Sequence, residues 1–144
     1  MLAVYADERM YTFTGGGPPD AAALLHRYQR LAIGWNDART ERWCNWIVRE
    51  HGCPAPIGAM QATMVADASQ ASVAWEIAVS QWGRGCAGGA ARAMVDWLGE
   101  SGVERITASI HPSHTASATV ARRLGFVPTQ DVDDGETVWL RVCV

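Results

Sequence analysis

The chain has 144 residues, 49% of them hydrophobic and 19% charged, which suits one domain with a single core over residues 1–144 and excludes whole-chain disorder. Its net charge of −3 argues against a nucleic-acid partner, because that binding needs a basic face. No run of about 18 apolar residues occurs, so no membrane-spanning helix is expected.

The N-terminal stretch Met1–Phe13 carries Asp7, Glu8 and Arg9 and lacks the basic start and apolar core of an export signal. A cytoplasmic location follows, with Cys44, Cys53, Cys86 and Cys143 as reduced thiols. Their spacing fits no zinc template, and no metal is expected. Seven tryptophans are many for this length. Some should line a cleft, since a buried indole N–H needs a partner.

Gly15-Gly16-Gly17 reads as a connector, and Pro18-Pro19-Asp20 then opens an amphipathic helix over about residues 19–33, closed by Gly34. Three strands follow at 42–50, 57–66 and 72–79, joined by short turns that favour an antiparallel meander. In the third, Trp75, Ile77 and Val79 alternate with Ala74, Glu76 and Ala78, giving a bulky face and a small face with one carboxylate. Ala87, Ala91, Met94, Val95 and Leu98 mark a second helix, ended by Gly99 and Gly102. Val103–Ile110 is a strand, Thr115–Leu124 a short helix with Gly125 in the left-handed position after it, and Thr137–Val142 a closing strand. The pattern is a mixed α/β (α+β) sheet in one domain.

The informative segment is the glycine turn Trp82-Gly83-Arg84-Gly85-Cys86-Ala87-Gly88-Gly89, between a strand and a helix. Glycines permit unusual dihedrals, so backbone N–H groups converge on an anion that the helix N-terminus also favours. Gly88 and Gly89 each cost roughly 1 kcal/mol against alanine inside a helix. Something must therefore approach closely, either a ligand or the packed sheet. A tight turn without a ligand is the competing reading. Gly83, Gly85 and Gly88 also satisfy the dinucleotide fingerprint G-x-G-x-x-G. That fingerprint belongs after the first strand of a parallel unit, and here three meander strands precede it.

Trp82–Ala87 resembles the acetyl-CoA pyrophosphate loop of the GNAT superfamily of N-acetyltransferases, whose pattern is Gln/Arg-x-x-Gly-x-Gly/Ala. Gly85 and Ala87 match, and Trp82 replaces the first residue. The Trp-Gly-x-Gly-x-Ala form looks like the branch of the ribosomal-protein N-terminal acetyltransferases. His114-Thr115-Ala116-Ser117 followed by Leu124-Gly125-Phe126 resembles the family's Asn-x-x-Ser helix ending in Leu-Gly-Phe.

The resemblance implies a mostly antiparallel sheet splayed at a cofactor cleft, with helices on both faces. It implies acetyl-CoA as co-substrate and direct attack by a primary amine within a ternary complex. The backbone of Ile77, Ala78 and Val79 would hold pantetheine, and Trp82, Gly83, Arg84, Gly85, Cys86, Ala87 and Gly88 the phosphates, with Arg122 as a further contact. A carboxylate near the strand end often serves as base, which points to Glu76, with Glu136 second. The family's usual tyrosine acid is Ala121 here, so protonation of the departing thiolate falls to Ser117. His114, in place of asparagine, would bond pantetheine or donate a proton. Trp35, Trp43, Trp46 and Tyr28 come from segments that line the acceptor cleft in relatives, and Asp37 and Glu41 stand ready to attract a cationic amine. The acceptor is a protein N-terminal amine or a small-molecule amine, with a non-catalytic acyl-CoA-binding module as the rival. Relatives begin with a strand, whereas Met1–Phe13 reads as a helix. Either the sheet lacks its first strand or the native start lies upstream, and an uncovered edge favours pairing into a homodimer.

Overall fold

In the computed structural model, which describes residues 1–144, Asp20 starts the first helix. Its carboxylate accepts the Ala23 N–H at 2.7 Å, and helix α1 runs Ala21–Ala32. Strands β1 (Glu41–Arg49), β2 (Pro56–Val65) and β3 (Gln70–Ile77) form the expected meander. Helix α2 (Cys86–Glu100), strand β4 (Arg105–Ile110), helix α3 (Thr115–Arg123) and the hairpin β5 (Val127–Asp133) and β6 (Glu136–Val142) complete the chain. The sheet order is β1-β2-β3-β4-β6-β5, antiparallel except between β3 and β4.

One sheet face is covered by α2 and α3. Ala91, Met94, Val95 and Leu98 of α2 pack with Met60, Ala62 and Met64 of β2 and Ile106, Ala108 and Ile110 of β4. Each large side chain buried there contributes about 1.5–3 kcal/mol. Gly125 follows α3 with φ +85°, and the Phe126 N–H returns to the Ala121 carbonyl at 3.0 Å, closing the helix and burying Phe126 as expected. On the opposite face a second cluster joins Val4 and Tyr5 to Leu24 of α1 and Ala78 beyond β3.

Two expectations need correction. Met1–Phe13 is not a helix but a series of turns with one short 3-10 segment, Glu8–Tyr11. Asp7 is extended, and its side chain takes the Arg9 N–H at 3.0 Å, which starts that segment and breaks any longer helix. No strand precedes α1, and β1 stands at the sheet edge with only β2 beside it. The third strand ends at Ile77, because Val79–Gln81 curls into a 3-10 turn held by Gln81 N–H to Ala78 C=O at 2.8 Å.

Candidate active site

The parallel strands β3 and β4 meet over one short stretch only, Gln70–Ser72 against Arg105–Thr107. β3 continues to Ile77 and β4 to Ile110 without pairing to each other. The sheet is thereby split at one end. The Ala78 N–H donates to the Ile57 carbonyl at 2.8 Å, so by alternation the amides and carbonyls of Trp75 and Ile77 point away from β2 and into the split. Gly58 on β2 holds β3 close: a Cβ there would lie 2.3 Å from the Glu76 carbonyl and 2.6 Å from the Ile77 side chain. A glycine inside a strand marks such an approach.

The glycine turn lies at the open end of the split. None of the amides of Gly83, Arg84, Gly85, Cys86, Ala87 and Gly88 donates to an acceptor in the chain; the first that does is Gly89, to the Gly85 carbonyl at 3.0 Å. Gly83 and Gly85 have φ of +75° and +79°, a region that penalises any residue with a Cβ. A Cβ on Gly88 or Gly89 would meet nothing within 4 Å. Packing against the sheet is therefore not what these glycines serve. The free amides at the N-terminus of a 15-residue helix suit a diphosphate.

The residues around the turn are partly committed elsewhere. Exposed Trp82 donates its indole N–H to the Ile77 carbonyl at 2.8 Å, tying the turn to the strand end. Of the three residues expected to hold pantetheine, Ala78 already uses both its N–H and its C=O, and the Val79 carbonyl takes the Trp82 N–H. The free edge thus lies earlier, at Trp75 and the Ile77 N–H. Arg84 bonds Gln81 and pairs with Glu50 at 2.8 Å. The Arg122 guanidinium lies 5.2 Å from the Trp139 ring centroid.

Across the split, α3 brings Ser117 to β3. The Ser117 hydroxyl oxygen lies 3.3 Å from the Trp75 indole nitrogen and 3.1 Å from His114 Nε2. His114 caps α3, its Nδ1 taking the Ser117 N–H at 3.5 Å. With Nδ1 accepting, the neutral ring carries its proton on Nε2. Ser117 Oγ then accepts two hydrogen bonds and keeps its own hydrogen free to donate. Burial, and after it the charge of His111, lowers the His114 pKa and favours the neutral ring. Phe13 of the N-terminal segment stacks on His114, centroids 4.4 Å apart.

Glu76 projects from the other face of β3. One of its carboxylate oxygens and the hydroxyls of Tyr5 and Tyr28 are all buried with no hydrogen-bond partner. Burial, and after it the Glu76 charge, raises the Tyr5 pKa, although no pair of the three reaches hydrogen-bond geometry. Tyr5 carries no motif and went unread in the sequence. Glu136 lies in the β5–β6 hairpin, where burial raises its pKa.

The expected aromatic wall divides. The β1–β2–β3 register puts Trp43 on the Glu76 face. Trp46 lies on the other face, edge-on to Trp97 with centroids 5.3 Å apart, and belongs to the core packing. Trp35 bridges to Arg42 at the start of β1.

A mostly antiparallel sheet split at its one parallel strand pair, beside a helix that begins at a glycine turn, defines the class, and the sequence agrees. Residues 1–127 match the family model of the acetyltransferase (GNAT) domain, and the chain belongs to that family. It is an acetyl-CoA-dependent N-acetyltransferase by that membership. The solved structures it resembles include a GNAT-family acetyltransferase from Bacillus anthracis, 15% identical over 98% of this chain and 86% of that one, with a TM-score of 0.76. The aminoglycoside acetyltransferase AAC(6')-Ib with coenzyme A is 18% identical over 98% and 86%, with a TM-score of 0.75. A Vibrio cholerae structure assigned as a ribosomal-protein-serine acetyltransferase is 16% identical over 85% and 75%, with a TM-score of 0.68. A search of curated protein sequences returned no match. No helix is long and apolar enough to cross a membrane.

Proposed function

We propose that residues 1–144 act as one catalytic domain that acetylates a protein N-terminal amine, in the manner of the ribosomal-protein branch. The observation that carries the reading is the run of free amides from Gly83 to Gly88 beside the unpaired edge of β3. In this reading those amides hold the diphosphate of acetyl-CoA, and the Trp75 backbone and the Ile77 N–H pair with its pantetheine amides, which satisfies strand groups that otherwise lack partners. His114 and Arg122 border the same ligand.

Acetyl-CoA supplies the activated acyl group. A β3 N–H in the split polarises the thioester carbonyl, a contribution of about 3 kcal/mol for donors of this type. Glu76 takes the proton of the attacking amine from the opposite face, directly or through one water. Ser117 donates its free hydrogen to the leaving sulfur. The sheet is thus open to the two substrates from its two sides. An extended peptide is supported by the exposed floor of Asn45, Ile47, Ser72 and Ala74 on the Glu76 side.

The test is steady-state release of CoA thiol with a panel of peptide N-termini, small amines and aminoglycosides, with products identified by mass spectrometry. Turnover of peptides with acetylation at the α-amine is the expected result. Turnover of small amines alone would replace the acceptor, and CoA binding without any turnover would reduce the protein to a binding module.

A further inference from the structure

On the face that carries Glu76, two arginines without ion pairs stand over aromatic rings, one of them at the cluster of buried oxygens. Arg27 of α1 has its guanidinium carbon 5.5 Å from the Tyr5 ring centroid. One turn on, Arg30 lies 5.7 Å from the Trp43 ring. Neither has a carboxylate within ion-pair distance, the ion pairs of the chain being Arg9–Asp7 and Arg84–Glu50. The Arg39 guanidinium carbon lies 5.9 Å from the Trp35 ring centroid, but Asp37 shares its loop and Glu41 begins β1 two residues on, which leaves Arg27 and Arg30.

At one end of this surface, the carboxylate oxygen of Glu76 and the hydroxyls of Tyr5 and Tyr28 offer three buried, unpartnered oxygens. A primary ammonium has three N–H donors and one positive charge, which matches three acceptors of which one is anionic. A carboxylate oxygen buried without a partner is otherwise costly. The Arg27 guanidinium carbon lies over the Tyr5 ring at the cradle itself and that of Arg30 over Trp43 farther along the surface, and neither is spent on an ion pair, so both keep charge and donors for a ligand. The sheet register sets the separation. Glu76 pairs with Ala59 and Ala59 with Ile47, two strand spacings or about 10 Å across the sheet, and Trp43 is four positions along β1 from Ile47, about 13 Å along the strand, which makes roughly 16 Å from Glu76 to Trp43.

We propose that the acceptor is a peptide whose N-terminal ammonium enters the Glu76–Tyr5–Tyr28 cradle and whose next few residues carry carboxylates that reach Arg27 and Arg30. This rests on the acetyltransferase reading above and narrows it: acidic N-termini are substrates, and polycationic amines are excluded by the same two arginines.

The experiment compares three peptides, Ser-Asp-Glu-Glu, Ser-Ala-Ala-Ala and Ser-Lys-Lys-Lys, by CoA release and by calorimetric binding in the presence of CoA. Wild type should favour the acidic over the basic peptide by at least about tenfold in kcat/KM at low salt, a ratio that shrinks as salt screens the arginines. Arg27→Ala with Arg30→Ala should erase the ratio, and Arg30→Lys should keep part of it. Tyr5→Phe should raise KM for every peptide while the affinity for CoA stays the same. Equal rates for the three peptides, or a basic preference, would overturn the proposal and leave the N-acetyltransferase reading intact. If no amine turns over, that reading fails, and the calorimetric order of the peptides alone decides whether the arginines select an acidic chain.

Discussion

The Trp75 indole N–H reaches Ser117 Oγ at 3.3 Å and so ties β3 to the first turn of α3 across the gap where β3 and β4 no longer pair. A tryptophan that looks like core in the sequence is thereby a brace on the candidate acid. Ser117→Ala should lower kcat about 100-fold, the scale of a lost proton donor, with KM for acetyl-CoA little changed. Trp75→Phe keeps an aromatic ring against the core and removes the indole N–H of the brace, so a drop of about tenfold is expected. Steady-state kinetics on both variants checks this. An unaltered kcat in Ser117→Ala would assign the donor elsewhere.

His114 gives a pH signature with a definite sign. Its pKa is lowered in the fold by burial, so the unfolded chain binds this proton more readily than the folded one. The associated stability is complete above the ordinary histidine value of 6.5 and is lost as pH falls below it. Thermal melts of wild type should therefore weaken on going from pH 7 toward pH 5 more than those of His114→Asn, which keeps a capping side chain and has no proton to gain. Parallel pH curves for the two proteins would show that His114 does not carry the effect.

Much of this architecture was legible because it rests on local chemistry. Pro18-Pro19-Asp20 starts α1, Gly125 ends α3, and Gly83 and Gly85 require left-handed dihedrals that few other residues accept. The site was legible only where it is backbone. That β3 and β4 part after Ser72 is a non-local event, fixed by how α2 and α3 pack and by Gly58 holding β3 to β2. Asp7 intercepting the Arg9 amide turned the N-terminal segment away from the helix expected there. It let Tyr5 fold onto Glu76 and Phe13 onto His114, contacts that no motif announces. Of the expected edge Ile77, Ala78 and Val79, the Ile77 N–H stays unpaired, with Trp75 before it, because the 3-10 turn and the Trp82 indole take the later groups.

Gly88 separates folding from ligand binding. A Cβ there meets nothing within 4 Å, and alanine is the better helix former by roughly 1 kcal/mol. Gly88→Ala should hold or raise the melting temperature while weakening CoA binding by about tenfold or more, since the methyl group intrudes where the diphosphate approaches. Calorimetry with CoA alongside a thermal melt reads both. Unchanged affinity would show that the phosphates pass elsewhere.

Leu98 anchors α2 with no exposed surface, among Val95, Ile106 and Val103. Leu98→Ala should cost about 2–5 kcal/mol of stability through the cavity it leaves, measured by urea denaturation. Because α2 carries the free amides at its far end, the variant tests stability apart from the site: at temperatures where it stays folded, its CoA affinity should match wild type.

The most direct test is a titration of the 15N-labelled protein with CoA, followed through backbone amide resonances. The amides of Gly83 to Gly88 and of Ile77 should show the largest shifts, with the Trp75 indole moving as the split fills. If those signals hold still while CoA binds, or if CoA at millimolar concentration moves nothing, the turn and the split are not the cofactor site and the enzymatic account falls with them.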